Sequence, residues 1–95
     1  MLTTKRLGSN PISSSLVYPN PARETVHLSF YLDRPQQLRW QWLTAQGQVL
    51  ETQRVQAGEG PQTLSLAISA YPPGVYFARL LIDGRAVHRK VVVGQ

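Results

Sequence analysis

The sequence predicts an antiparallel β-sandwich of immunoglobulin type with about seven strands, and three observations lead to this prediction. Apolar residues recur at every second position over short stretches, as expected when a pleated strand sends alternate side chains to opposite faces. Turn signals separate these stretches about every 8–12 residues. No stretch shows a helical period. A small β-barrel is the alternative, because alternation does not reveal whether a sheet closes on itself.

The first two long strands are predicted from alternation at residues 25–32 and at residues 38–42, which contain Trp40 and Trp42. The two tryptophans share one face of their strand, whereas Arg39 and its polar neighbours take the other. We expect the tryptophans in the core, because the arginine has the greater need of water.

A turn at residues 45–48, containing Gly47, joins the second strand to a third. Residues 51–56 alternate poorly and carry mixed charge, which is typical of an edge strand that discourages pairing with other chains. A second turn is predicted over residues 58–61, where two glycines and a proline lie close together.

The second half of the chain contains the remaining strands. Alternation at residues 64–68 predicts one, and the prolines of residues 71–74 predict a stiff corner after it. Residues 75–82 are apolar at both alternating sets except Arg79, which indicates a central strand. Asp83 and Gly84 favour a type I′ hairpin, and the final strand then extends to Val93.

Length and composition limit the chain to one small domain. Its 95 residues include no cysteine, so disulfides and thiol chemistry are excluded. The formal net charge of +5 makes nucleic acid, anionic lipid or acidic polysaccharide candidate partners. Nucleic acid is not expected, because most arginines are isolated in the sequence and, after the N-terminal Lys5 and Arg6, only Arg85, Arg89 and Lys90 lie close together. The isolated arginines are Arg23, Arg34, Arg39, Arg54 and Arg79.

Residues 1–15 lack apolar periodicity and are rich in residues that favour turns. We expect them to be a flexible linker from a larger parent protein, with residues 16–95 as the folded domain. No apolar run reaches the roughly 18 residues of a transmembrane segment, so no such segment is predicted. The N-terminus also lacks the apolar core of a signal peptide.

Four short motifs in order resemble the C-terminal sorting domain of the type IX secretion system. The first is the Pro-Asn-Pro turn at residues 19–21, and the second is Gly47 after an apolar strand. The third is Gly-Val-Tyr at residues 74–76, and the last is a lysine followed by three valines at residues 90–93. Thr44 departs from the family pattern, in which an acidic or amide residue is common at this position.

The resemblance implies a noncatalytic export signal without a cofactor. The cargo fused to its N-terminus would pass through the periplasm to the outer-membrane surface or the extracellular space. The implied partners are the type IX translocon, its outer-membrane shuttle protein and a sortase-like peptidase. The residues implied in translocon recognition are Pro19, Asn20, Pro21, Gly47, Gly74, Tyr76, Lys90, Val91, Val92 and Val93.

Two further expectations concern the ends of the domain. Cleavage by the peptidase is expected in the linker, because an unpacked segment can enter a protease cleft without unfolding the sandwich. The expected region is Ser9, Asn10, Pro11, Ile12, Ser13, Ser14, Ser15 and Leu16. The final strand, with a cationic residue on one face and valines on the other, could offer edge hydrogen bonds to a partner.

Two other function classes are alternatives to the export signal. Catalysis is not expected, because His27 and His88 are accompanied by no nucleophile-elbow or metal-binding spacing. An accessory module that binds carbohydrate or protein is the alternative function. It would need an exposed aromatic platform, for which the candidates are Trp40, Trp42, Tyr31, Tyr71 and Phe77.

Overall fold

The computed structural model describes residues 15–94, and this part of the chain folds into two antiparallel sheets without a helix. The strands are β1 (Leu16–Tyr18), β2 (Thr25–Leu32), β3 (Gln36–Thr44), β4 (Val49–Ala57), β5 (Gly60–Ala67), β6 (Gly74–Ile82) and β7 (Arg85–Val93). One sheet has the order β1-β2-β5 and the other β4-β3-β6-β7. The sheets do not close into a barrel, so the predicted β-sandwich is confirmed over its alternative.

The hydrophobic core is built from alternate positions of strands in both sheets. From β2 come residues such as Val26 and Leu28, and from β6 residues such as Ala78 and Leu80. Trp40 and Trp42 are 2% and 1% exposed, respectively. The prediction that both tryptophans lie in the core is therefore confirmed, and neither can belong to an exposed aromatic platform.

The predicted turns and strand positions mostly match the structure. Asp83 and Gly84 both have positive φ, at 52° and 75°, as the type I′ hairpin requires. The strand β4 is an edge, and β6 is central between β3 and β7. The turn predicted at residues 58–61 is shorter, because β5 already begins at Gly60 and includes Pro61. An edge strand such as β5 tolerates a proline, since its outward-facing positions need no backbone donor.

Candidate functional site

Strand pairing brings the predicted recognition residues to one end of the molecule. Gly74 pairs with Val93 and Tyr76 with Val91, so the start of β6 lies beside the end of β7. Tyr76 also pairs with Thr44, which places the following turn with Gly47 at the same end. We call this region the motif end. It comprises residues 19–21, Gly47, Gly74, Tyr76 and residues 90–93.

The side-chain amide of Asn20 joins the first motif to the last. Its Nδ2 donates a hydrogen bond to the carbonyl oxygen of Lys90 at 3.0 Å. Its Oδ1 accepts one from the backbone N–H of Val92 at 2.9 Å. The amide therefore bonds to β7 as the backbone of a neighbouring strand would. Both X-Pro peptide bonds of this turn, Tyr18–Pro19 and Asn20–Pro21, are cis.

Ala22 continues this pairing along the edge of β7. Its N–H donates to the carbonyl oxygen of Val92, and its own carbonyl oxygen accepts from the N–H of Gly94, both at 2.8 Å. Unpaired backbone groups on a sheet edge are the usual sites of strand addition. Between Lys90 and Gly94 the edge groups of β7 that would serve such a partner are already bonded within the domain.

Burial separates the ten predicted recognition residues into three groups. The side chains of Tyr76, Val91 and Val93 lie in the core and are 7%, 0% and 3% exposed. Val92 is half-buried on the opposite face of β7. The remaining residues are exposed, namely Pro19, Asn20, Pro21, Gly47, Gly74 and Lys90. In the folded domain only the exposed residues and part of Val92 can contact a partner.

Tyr76 holds the proline corner against the core. Its ring stacks on Trp42 with a centroid distance of 5.0 Å and an interplanar angle of 13°. Its hydroxyl donates a hydrogen bond of 2.7 Å to the carbonyl oxygen of Pro72. The buried aromatic ring therefore fixes the backbone that leads into Gly74.

Gly47 is required by its backbone conformation, because its φ of +95° is rarely adopted by residues with a side chain. Thr44 closes the same turn. Its carbonyl oxygen accepts from the N–H of Gly47 at 2.9 Å, and its hydroxyl accepts from the N–H of Gln48 at 3.1 Å. The hydroxyl of Thr44 thus supplies a side-chain acceptor to the turn at the position where the chain departs from the family pattern.

The half-buried Tyr71 donates a hydrogen bond from its hydroxyl to the carboxylate of Glu51. This hydrogen bond, together with burial and the negative charge of Glu51, raises the pKa of Tyr71 from 10.0 to about 12. Because the pKa in the folded state exceeds that in the unfolded chain, the contribution to stability is complete below pH 10 and is lost as the pH rises toward 12.

We expect an ultraviolet titration of the tyrosinates to show one tyrosine that ionises later than the others. Tyr71→Phe should remove this late step and make the stability of the domain less dependent on pH between about 10 and 12. Tyr31→Phe is the matched control, because Tyr31 is 52% exposed. A late step that persists in the Tyr71 variant would contradict the assignment.

The predicted linker and cleavage region fall mostly outside the described residues, which begin at Ser15. Ser15 is 8% exposed, and its carbonyl oxygen lies 3.4 Å from Nε of Arg89. Leu16 is half exposed, but its backbone pairs with Ser29 in the β1–β2 ladder. The last two residues of the expected cleavage region are therefore part of the folded domain.

The two histidines form no recognisable catalytic constellation in the part of the chain that the structure describes. Nδ1 of His27 hydrogen-bonds to the hydroxyl of Ser65 at 2.7 Å, but no carboxylate there hydrogen-bonds to this histidine. His88 is exposed on the far face of the other sheet. Residues 15–94 also contain no group of three or more histidine, cysteine or acidic side chains placed to hold a metal ion.

Comparison with known proteins identifies the family of the chain. A family model for the secretion system C-terminal sorting domain matches residues 16–94. No curated protein matches the chain. Across residues 15–94 there is no helix long and apolar enough to cross a membrane. The match covers most of the chain, and the chain therefore belongs to the family of type IX secretion C-terminal sorting domains.

Proposed function

We propose that the exposed residues of the motif end form the surface by which the type IX translocon and its outer-membrane shuttle protein recognise the folded domain. Membership of the family makes the chain a sorting signal for export to the cell surface or extracellular space. The family is noncatalytic in general. The secretion machinery contacts the exposed residues of the motif end, namely Pro19, Asn20, Pro21, Gly47, Gly74 and Lys90.

One observation carries this proposal: the amide of Asn20 bonds to both Lys90 and Val92. These residues are about 70 positions apart in the chain, yet the contact makes the Pro-Asn-Pro turn and the terminal lysine one continuous surface. A partner can read both motifs at once only when the domain is folded. Recognition thereby distinguishes a folded sorting domain from an unfolded chain that carries the same residues.

Among the recognition residues, the buried ones and the exposed ones have different roles in this proposal. Tyr76, Val91 and Val93 act through the fold, because their side chains pack in the core. Lys90 contacts the partner directly, since its side chain is exposed and makes no hydrogen bond or ion pair within residues 15–94. An acidic group on the secretion machinery is the complement that such an ammonium group selects.

Removal of the domain by a sortase-like peptidase belongs to the same proposal. Within the expected region from Ser9 to Leu16, we place the scissile bond before Ser15. Cleavage after Ser15 would need a buried residue, and Leu16 is engaged in strand pairing. A peptidase acts most readily where the backbone is not held by the fold.

Lys90→Ala is expected to reduce export at least tenfold while leaving the domain folded. The test fuses residues 1–95 to a periplasm-targeted fluorescent protein, in hosts with and without the type IX translocon, and measures fluorescence outside the cell. Exposed surface substitutions of this kind usually change stability by no more than about 0.5 kcal/mol. Thermal unfolding of the purified variant would confirm that recognition, and not folding, is altered.

Arg85→Ala is the matched control for this experiment. Arg85 is an exposed cation at the other end of the same strand, so its loss changes the net charge equally. Normal export of the Lys90 variant, or equal loss in both variants, would refute a specific role for Lys90. If the unmodified fusion stayed in the periplasm of both hosts, with and without the translocon, the recognition proposal as a whole would be refuted.

A further inference from the structure

The four-stranded sheet has an outer face, turned away from the core, that carries charge of one sign. It consists of the odd positions 37–43 of β3 and 75–81 of β6, and the even positions 52–56 of β4 and 86–92 of β7. None of these positions holds an acidic residue. The basic residues on the outer face are Arg39, Arg54, Arg79, His88 and Lys90.

Arg39 and Arg54 form a directly opposed pair across β3 and β4. Both side chains are exposed, and neither makes a hydrogen bond through its side chain or an ion pair within residues 15–94. Like charges directly opposite each other on neighbouring strands destabilise a sheet, and an anion bound between them would relieve the repulsion. Asp83, an acidic residue that lines the groove beside this pair, is 3.4 Å from Arg34 and thus already paired.

A shallow groove of about 560 Å³ lies beside this arginine pair. Leu81 and Ala86, which pair across β6 and β7, contribute its apolar surface, and the β6–β7 turn closes one end. Planar guanidinium groups bind phosphate oxygens through two parallel hydrogen bonds. The guanidinium groups of Arg39 and Arg54 line this open groove and can bind a phosphate group that approaches from solvent.

The other half of the outer face is apolar and partly exposed. Val75 and Val49 are 41% and 40% exposed. Leu43 is only 3% exposed although it lies outside the core cluster, and its cross-strand partner on the outer face is Phe77. Exposed valines therefore lie on the same face as the cations, with no acid between them.

We propose that the outer face binds the surface of an anionic lipid membrane. Cations next to an anionic leaflet gain from its negative potential, and apolar side chains gain from contact with the acyl boundary. The outer face presents both kinds of group on neighbouring strands, so one membrane surface can engage them together. Arg39 and Arg54 bind the headgroup phosphates, and Val75 and Phe77 contact the apolar region.

The test measures co-sedimentation of residues 1–95 with vesicles of equal parts phosphatidylglycerol and phosphatidylcholine, and with phosphatidylcholine alone. We expect binding to the anionic vesicles only, with an affinity that falls as salt is added. The variant Arg39→Gln/Arg54→Gln should bind about 25-fold more weakly, since each arginine near an anionic surface contributes roughly fivefold. Its thermal stability should be equal to or higher than that of the unmodified domain, because the opposed charges are removed.

Arg23→Gln is the matched control for the single variant Arg54→Gln. It removes the same charge from an exposed residue outside both sheets. Val75→Ser should weaken binding severalfold without altering its dependence on salt, since Val75 contributes apolar area only. An equal effect of Arg23→Gln and Arg54→Gln would overturn the proposal, because binding would then follow net charge and not this face.

The same assay with polyglutamate and with single-stranded DNA separates the lipid surface from other anions. Binding to either polymer in the absence of binding to anionic vesicles would overturn the proposal and assign the face to that partner. The arginine pair lies at the opposite end of the sheet from the motif end. Normal export of Arg39→Gln/Arg54→Gln together with weak vesicle binding would therefore separate this inference from translocon recognition.

Discussion

Trp42→Ala is expected to lower the free energy of unfolding by about 3–5 kcal/mol, because it removes a large buried aromatic side chain and leaves a cavity. Trp42 is 1% exposed and stacks on Tyr76. Its ring centroid also lies 6.1 Å from that of Tyr71. A domain of this size has only about 5–10 kcal/mol in total. Urea unfolding followed by circular dichroism should show a large fall in the midpoint.

The two tryptophans offer an internal control through Trp40→Phe and Trp42→Phe. Nε1 of Trp40 donates a hydrogen bond of 2.8 Å to the side-chain oxygen of Gln53. Nε1 of Trp42 is buried and has no hydrogen-bond partner within residues 15–94. Both substitutions remove similar apolar volume, but only the first breaks a hydrogen bond.

Trp40→Phe should therefore destabilise the domain by about 1 kcal/mol more than Trp42→Phe. The comparison uses the same unfolding assay, with the slope of the transition checked for equal cooperativity. A larger loss for Trp42→Phe would show that packing around Trp42, and not the hydrogen bond of Trp40, dominates the difference.

Asn20→Ala is expected to have the largest combined effect on stability and export among exposed substitutions. It removes the two hydrogen bonds to Lys90 and Val92, which together correspond to about 1–3 kcal/mol. The amide of Val92 should lose its protection against hydrogen exchange, because its acceptor is gone. Export of the fluorescent fusion should fall with it, since the turn and the terminal lysine are no longer held together.

Asn20→Asp sharpens this test because it preserves size. The carboxylate can still accept a hydrogen bond from the N–H of Val92, but it cannot donate one to the carbonyl oxygen of Lys90. One carboxylate oxygen would instead face that carbonyl oxygen, and the two would repel each other. The Val92 amide should then remain more protected than in Asn20→Ala, whereas export should still fall. Arg23→Ala is the control for a nearby exposed change. Unchanged protection of Val92 in Asn20→Ala would contradict the role given to the amide.

Local sequence determined the strands and most of their connections. Alternation of apolar and polar residues at 25–32 predicts β2, because a strand with one buried face needs apolar side chains at every second position, whichever strands it pairs with. Asp83 and Gly84 predict the β6–β7 hairpin because the positive φ of a type I′ turn depends on those residues alone. The edge position of β4 and the buried tryptophans follow from the same local rules. The end of the β4–β5 turn was misplaced, because an edge strand can include Pro61.

The motifs of the recognition surface could be identified from sequence, but their contact could not. Nothing local indicates that Asn20 bonds to β7, because the contact joins residues whose separation is set by the whole sandwich. Alternation did place Lys90 and the buried Val91 on opposite faces of the final strand. It could not show that Asn20 and Ala22 bond to the outer edge of that strand.

The outer face of the four-stranded sheet could also not be identified from local sequence. Arg39, Arg54 and Arg79 are isolated in the sequence, and their spacing argued against a nucleic-acid partner. Strand register places them on one face, because Arg39 pairs with Arg54 and with Leu81, and Arg79 pairs with the neighbouring Gln41. The sequence by itself determined which segments form strands and which of their faces is apolar. Only the tertiary structure decided which strands become neighbours without a hairpin between them, such as β3 and β6, because that pairing depends on packing between residues distant in the chain.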